Sequence, residues 1–219
     1  MVNLDNISLS IDKQPLLQNF SLQMNAGEII GILGASGCGK TTFLRAIAGF
    51  HPIDQGQIIV NGKVLSRPNI TLVPEKRRIG MVFQDYALFP HLTVADNIGF
   101  GLHKWSNSDK QARIKELLQL IQLENFENRF PHELSGGQQQ RIALARALAP
   151  KPDLILLDEP FCNLDCELRT QLIQDTRQLL KAENTPAILV THDLQDAETL
   201  CDRYLQFPTN THTLHTQVA

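Results

Sequence analysis

Residues 29–49 read IIGILGASGCGKTTFLRAIAG, and the fold follows from this stretch. The apolar run Ile29–Leu33 suits a strand buried on both faces. Phe43, Leu44 and Ile47 then recur at helical spacing, and Gly49 suits a left-handed C-cap. Between strand and helix, residues 34–41 read GASGCGKT, which matches GxxxxGK[ST] in the required context. Such a loop lets backbone N–H groups close around phosphates, while Lys40 reaches the outer phosphates and Thr41 can ligate magnesium. Gly34, Ala35, Ser36, Gly37, Cys38, Gly39, Lys40, Thr41 and Thr42 are therefore the expected nucleotide-binding residues. On this loop alone, any phosphate-loop enzyme remains open, kinases and GTPases included.

The surrounding sequence supplies more strands. Ile7, Leu9 and Ile11 alternate, then Phe20, Leu22 and Met24, with a polar break between, which predicts a hairpin. A β stretch at 57–60 turns at Asn61-Gly62, a favoured hairpin dipeptide. Residues 79–83 form one more strand. Residues 154–157 and 187–190 are short, wholly apolar and preceded by Pro152 and Pro186, as expected of parallel strands in the same sheet as Ile29–Leu33. From 85 to 149 the pattern is helical, with Ser108 and Gln111 spaced as a capping box before Ile114, Leu117, Leu118 and Ile121. Residues 208–219 show no periodicity and read as a fraying tail.

Composition narrows the class. The 219 residues are 42% hydrophobic and 20% charged, enough for a substantial core. A net charge of -3 gives no basic bulk for a nucleic-acid backbone, so no nucleic-acid partner is expected. No apolar stretch approaches the roughly 18 residues of a membrane span, and the amino terminus lacks the layout of a secretion signal, so a cytoplasmic location is expected. Cys38, Cys162, Cys166 and Cys201 lack a paired CxxC pattern and read as reduced thiols. His51, His91, His103 and His132 read as surface or turn residues, and 75–78 as a solvated hairpin tip.

Two further motifs carry chemistry. Residues 154–159 read LILLDE, a strand whose end presents two carboxylates. Strands of such sheets aim their carboxyl ends at the ligand crevice, so Asp158 would meet the magnesium held by Thr41, and Glu159 could polarise the attacking water. Residues 134–138 read LSGGQ before the helical QQRIALARALA. Ser135 and Gln138 have capping-box spacing, while Gly136 and Gly137 leave N–H groups bare at a helix start, a phosphate-binding arrangement.

With Gln84 in FQDYALFPH and His192 in LVTHD, the sequence resembles the ATP-binding cassette (ABC) ATPases. LSGGQ is their signature, and GASGCGKT, Gln84, LILLDEP, Asp165 in FCNLD and His192 fall in the family order. The resemblance covers roughly residues 1–203. It implies an α/β fold: a P-loop NTPase core with a mainly parallel sheet, an antiparallel β subdomain and a helical subdomain at about 85–149, followed by a polar tail at 204–219. It implies ATP and Mg2+ as ligands, with Thr41, Gln84 and Asp158 toward the metal and Glu159, His192, Gln84 and Lys40 as the catalytic set. It also implies a head-to-tail homodimer, in which Ser135, Gly136 and Gly137 of one copy close over nucleotide held by the other, with Gln138 among the nucleotide-binding residues. Gln84 resembles the residue that links nucleotide to an integral membrane permease, and Asp165 belongs to the same nucleotide site.

The stretch EKRRIGMVFQDYALFPHLTVADNI is similar to the importer branch, the ATPases of sugar, polyamine, sulfate and ferric-iron uptake, and within it the ferric-iron subgroup. That implies a subunit at the cytoplasmic face of the membrane, powered by ATP and served indirectly by a periplasmic solute-binding protein. Two departures stand out. Spacing puts Ile11 where the family stacks an aromatic ring on adenine, and from Asp202 the chain runs into a polar tail where the branch continues into a regulatory domain. Cys162 also replaces the usual Ser before Asn163. Other readings fit fewer residues: a degenerate or truncated non-hydrolysing subunit, or a soluble ABC protein of DNA repair or translation.

Overall fold

The computed structural model describes residues 1–162, 166–207 and 216–218. Strands β1 (Val2–Ile11) and β2 (Gln14–Met24) form the expected hairpin, turning at Asp12 and Lys13 with φ of 50° and 67°. Val2, Leu4, Ile7 and Leu9 are buried, and a register irregularity between Leu4 and Ile7 keeps both pairs on one face. Ile11 ends at the turn, 40% exposed.

Strand β3 (Ile29–Leu33) enters helix α1 (Lys40–Ala48), which closes on Gly49 at φ 94° as the sequence predicts. Strands β4 (Gln55–Val60), β5 (Lys63–Arg67) and β6 (Ile70–Thr71) complete an antiparallel sheet of order β2-β1-β4-β5-β6. Asn61 and Gly62, both at positive φ, make the β4–β5 turn.

Strand β7 (Ile79–Val82) leads to helices α2 (Val94–Gly99), α3 (Asn107–Leu120) and α4 (Gly136–Leu148). Then follow β8 (Leu154–Asp158), α5 (Cys166–Ala182), β9 (Ala187–Thr191), α6 (Leu194–Leu200), β10 (Arg203–Gln206) and β11 (Thr216–Val218). The second sheet has the order β11-β10-β3-β9-β8-β7 and is parallel from β10 to β7.

Period-two alternation in this sheet sorts the core into two layers. Ile30, Ile32, Leu154, Leu156, Ile188 and Val190 pack with α1 and the antiparallel sheet. Ile29, Ile155, Leu157, Ala187 and Leu189 pack with the helices after β7. Every residue of β3, β8 and β9 is buried, which explains their unbroken apolar runs.

Three expectations need correction. Arg77, expected at a solvated tip, is 2% exposed. Its guanidinium donates to the carbonyls of Leu72 (2.6 Å), Ile47 (2.8 Å) and Ala46 (3.3 Å) and to Ser66 Oγ (2.7 Å). It thus caps the carbonyl end of α1, where a cation suits the helix dipole, although burial lowers its pKa to about 10. Helix α3 is capped by Ser106, which accepts from the Asp109 N–H at 3.1 Å, rather than by Ser108. The packed body also runs past 203: β10 pairs with β3, Leu205 and Phe207 are buried, and 216–218 add an antiparallel edge strand where a fraying tail was expected.

Candidate functional site

Parallel strands deliver their carboxyl ends to one edge of the sheet, and β3, β8 and β9 are neighbours there. The 34–41 loop leaves β3 at this edge. Gly34 N–H donates to Thr191 O at 3.2 Å, tying the loop to the end of β9. Gly39 has φ of 103°, and a Cβ there would lie 2.3 Å from a methyl of Leu16, so only glycine fits both the turn and the packing. Gly37 also needs positive φ, but a Cβ there would meet open space. Ala35, Ser36 and Gly37 form an exposed crest, with Cys38, Thr41 and Thr42 partly covered.

Lys40 is 4% exposed. Its Nζ donates to Gly34 O (2.7 Å) and Ala35 O (2.9 Å) and pairs with Glu159 Oε1 at 3.3 Å. Thr41 Oγ1 donates to Asp158 Oδ1 at 3.0 Å. Burial raises the Asp158 pKa, and the Thr41 hydrogen bond opposes that rise. One residue on, Glu159 adopts φ of 44°, a left-handed backbone that a non-glycine residue rarely holds. Its N–H donates to Val190 O at 3.0 Å, and its Oε2 lies 2.9 Å from His192 Nδ1. The Glu159 carboxylate is thus held between an ammonium and an imidazole.

The structure brings Lys40, Thr41, Asp158, Glu159 and His192 into one cluster. Gln84 is exposed after β7, and burial pushes up the pKa of the Cys162 thiol, with Gln84 opposing that rise. Ser135 forms the expected capping box: Gln138 N–H donates to Ser135 Oγ at 3.4 Å, and Ser135 N–H donates to Gln138 Oε1 at 3.0 Å. Gly136 is exposed and Gly137 buried. Among the described residues, no hydrogen bond or ion pair joins residues 135–138 to the Lys40 cluster. Asp165 lies outside the described residues.

One residue of the site region escapes the sequence reading. Arg146, near the end of α4, donates to Tyr86 O (2.8 Å) and Ala87 O (2.7 Å). Tyr86 and Ala87 are consecutive left-handed residues, φ 61° and 45°, just after Gln84. Arg146 also lies 5.2 Å from the Phe89 ring centroid. The helix that starts at the signature thereby ends on the loop that carries Gln84. Only the arginine itself is visible in sequence; its acceptors are 59 and 60 residues away.

Chemically, the cluster offers a cradle of N–H groups and an ammonium for phosphate, two hard oxygens side by side, and a carboxylate braced by histidine. The ABC transporter family matches residues 17–162. An Fe(3+) ions import ATP-binding protein of Haemophilus influenzae, FbpC, is 45% identical over 205 residues, covering 93% of this chain and 58% of that protein. A spermidine/putrescine import ATP-binding protein of Aliivibrio fischeri, PotA, is 46% identical over 208 residues, covering 94% and 55%. The chain thus spans somewhat over half the length of these relatives. An ATP-binding cassette solved as a dimer in a post-hydrolysis state with ADP and Pi superposes with a TM-score of 0.78, at 32% identity and 94% coverage of both chains. The cbiO1 protein of Clostridium perfringens, part of the ABC transporter complex cbiONQ, gives 0.84 at 25% identity, covering 94% of this chain and 83% of that one. With the phosphate loop, the paired carboxylates and LSGGQ in place on this fold, the chain belongs to the ABC transporter family.

Proposed function

We propose that the protein binds and hydrolyses ATP to energise an ABC importer. The observation that carries this reading is the grip on Glu159: Lys40 Nζ at 3.3 Å from one carboxylate oxygen and His192 Nδ1 at 2.9 Å from the other. A binding-only module has no use for a carboxylate braced in this way, whereas hydrolysis needs a positioned proton acceptor. Outer phosphates of ATP would draw Lys40 away from Glu159, because a phosphate oxygen is the stronger partner for the ammonium. That frees Oε1 to accept the proton of an attacking water, while His192 keeps the carboxylate oriented.

Thr41 Oγ1 and Asp158 Oδ1 fit magnesium, a hard cation that prefers oxygen donors. Burial that disfavours the Asp158 anion makes a neighbouring cation more welcome. When bound, magnesium would neutralise phosphate charge.

The working unit is a head-to-tail homodimer on integral membrane permease subunits, at the cytoplasmic face of the membrane. In it, Ser135, Gly136 and Gly137 of one copy cover nucleotide bound by the other, which suits their separation from Lys40 within one chain. Asp165 joins the same composite site. Ferric iron is a candidate solute, and the nearly equal identities to an Fe(3+) and a spermidine/putrescine import protein support a polyamine equally. Phosphate release from ATP by purified protein tests the enzymatic half, and copurification with membrane subunits the transport half. Nucleotide binding without magnesium-dependent phosphate release, with or without the permease, contradicts the hydrolytic reading.

A further inference from the structure

His192 stands between Thr191, the last residue of β9, and Asp193, the N-cap of α6. Both neighbours belong to one polar network. Asp193 N–H donates to Thr191 Oγ1 at 3.1 Å, and Thr191 Oγ1 donates to Asp196 Oδ2 at 3.3 Å. Thr191 and Asp196 are 2% and 3% exposed, so the bond between them is shielded from water. The network ends on Arg169, in the first turn of α5. Arg169 Nε donates to Asp196 Oδ1 at 2.8 Å, and its Nη2 pairs with Asp193 Oδ2 at 2.7 Å and Asp196 Oδ2 at 2.8 Å.

We propose that Arg169 is a positioning residue for ATP hydrolysis: its fork clamps Asp193 and Asp196 and so holds His192 within reach of Glu159. The inference rests on the hydrolytic reading above. Arg169 contacts both carboxylates of this segment. The carboxylates it bridges are the N-cap and the third residue of α6, and the first of them, Asp193, directly follows His192. Its own helix follows β8, the strand that ends in Asp158 just before Glu159.

The clamp is not what anchors α5. Arg141 pairs with Asp175, and Arg177 and Lys181 both pair with Asp202, at positions farther along the same helix. Leu172, Ile173, Leu179 and Leu180 are buried beneath it. Helix α6 likewise keeps its cap through the Gln195 N–H to Asp193 Oδ1 bond at 2.8 Å. Loss of Arg169 should loosen the 191–193 segment while the helices stay docked.

The experiment compares wild type with Arg169→Ala, Arg169→Lys and Asp193→Asn, the last retaining a good N-cap while weakening the ion pair. Steady-state hydrolysis should show kcat down at least about tenfold in Arg169→Ala with KM for ATP within about twofold, because nucleotide contacts are untouched. Arg169→Lys should recover only part of the rate, since one ammonium cannot bridge two carboxylates as a fork does. The His192 ring resonance, assigned by its loss in His192→Asn, should move in Arg169→Ala to the position it takes in Glu159→Ala. If Arg169→Ala does not fold, Asp193→Asn must show the same rate and ring changes in weaker form. Unchanged kcat, or lowered kcat with an unmoved His192 resonance, overturns the proposal. Absence of hydrolysis in wild type would instead sink the hydrolytic reading, and the ring resonance would still decide whether Arg169 positions His192.

Discussion

The Nδ1 atom of His192 lies 2.9 Å from Oε2 of Glu159, although the two residues are 33 apart in sequence and sit at the ends of different strands. Because β8 and β9 pair in register through Asp158 and Val190, the residues just past each strand are brought together by the sheet itself. Lys40, at the start of α1, completes the contact from the third strand of the trio. The site is therefore a property of strand order rather than of any one loop.

Replacement of Lys40 by Ala removes the ammonium from a pocket where it is 4% exposed and leaves Glu159 without its cation. ATP affinity should fall at least about tenfold and turnover by several hundredfold or more, because charge-assisted contacts to a transferring phosphate supply much of the stabilisation in such sites. Nucleotide titration and phosphate release measure the two effects separately. A folded Lys40→Ala protein with wild-type turnover would falsify the phosphate-loop assignment.

Ser135→Arg tests the shared site. It should abolish turnover yet leave ATP binding intact, since in the proposed dimer the signature of one copy acts on nucleotide held by the other. Mixed with Lys40→Ala protein, it should regain part of the activity, because each mixed dimer keeps one composite site with both residues intact. No recovery from demonstrated mixed dimers counts against that arrangement.

Ile11 ends β1 at the hairpin turn, 40% exposed, with no π face to offer a base. Ile11→Tyr should tighten nucleotide binding by about 1 kcal/mol, roughly fivefold, as part of the stacking contribution of an aromatic ring. GTP should gain nearly as much as ATP, with little change in maximal rate. Titrations that show no tightening for either nucleotide place Ile11 away from the base.

Arg77 carries a stability prediction. Arg77→Met would leave the carbonyls of Leu72, Ile47 and Ala46 without their buried donor. The loss should be on the order of 3 kcal/mol, lowering Tm by roughly 6–12 °C for a chain of this size. A change of about 1 °C or less in calorimetry would mean that water or neighbouring groups replace the guanidinium.

The contrast between Arg77 and Lys40 shows what could be read from the sequence. Lys40 lies inside an eight-residue pattern that spans the end of a strand, a turn and a helix start, so its partners are largely local and its role is legible. Arg77 sits among charged residues, and its acceptors lie at the end of a helix about 30 residues earlier. Arg146 and Arg169 escape for the same reason: each serves acceptors set by tertiary packing. The strands β3, β8 and β9 were legible because burial on both faces demands unbroken apolar runs. Strand β10 was not, since RYLQ mixes exposed and buried positions at the sheet's flank, and only Leu205 and Phe207 betray its packing. Ser106 and Ser108 both precede the α3 pattern, and the backbone chose the one whose hydroxyl reaches the Asp109 N–H.

The role of Glu159 is tested by single-turnover hydrolysis of ATP in Glu159→Gln beside wild type, with magnesium present and oligomeric state followed by light scattering. The substitution keeps the shape of Glu159 but removes the anionic proton acceptor. Cleavage should slow on the order of 100- to 10,000-fold while ATP binding persists, and an ATP-bound dimer should accumulate. Cleavage at the wild-type rate, with the protein remaining monomeric, would contradict both the role of Glu159 and the shared site.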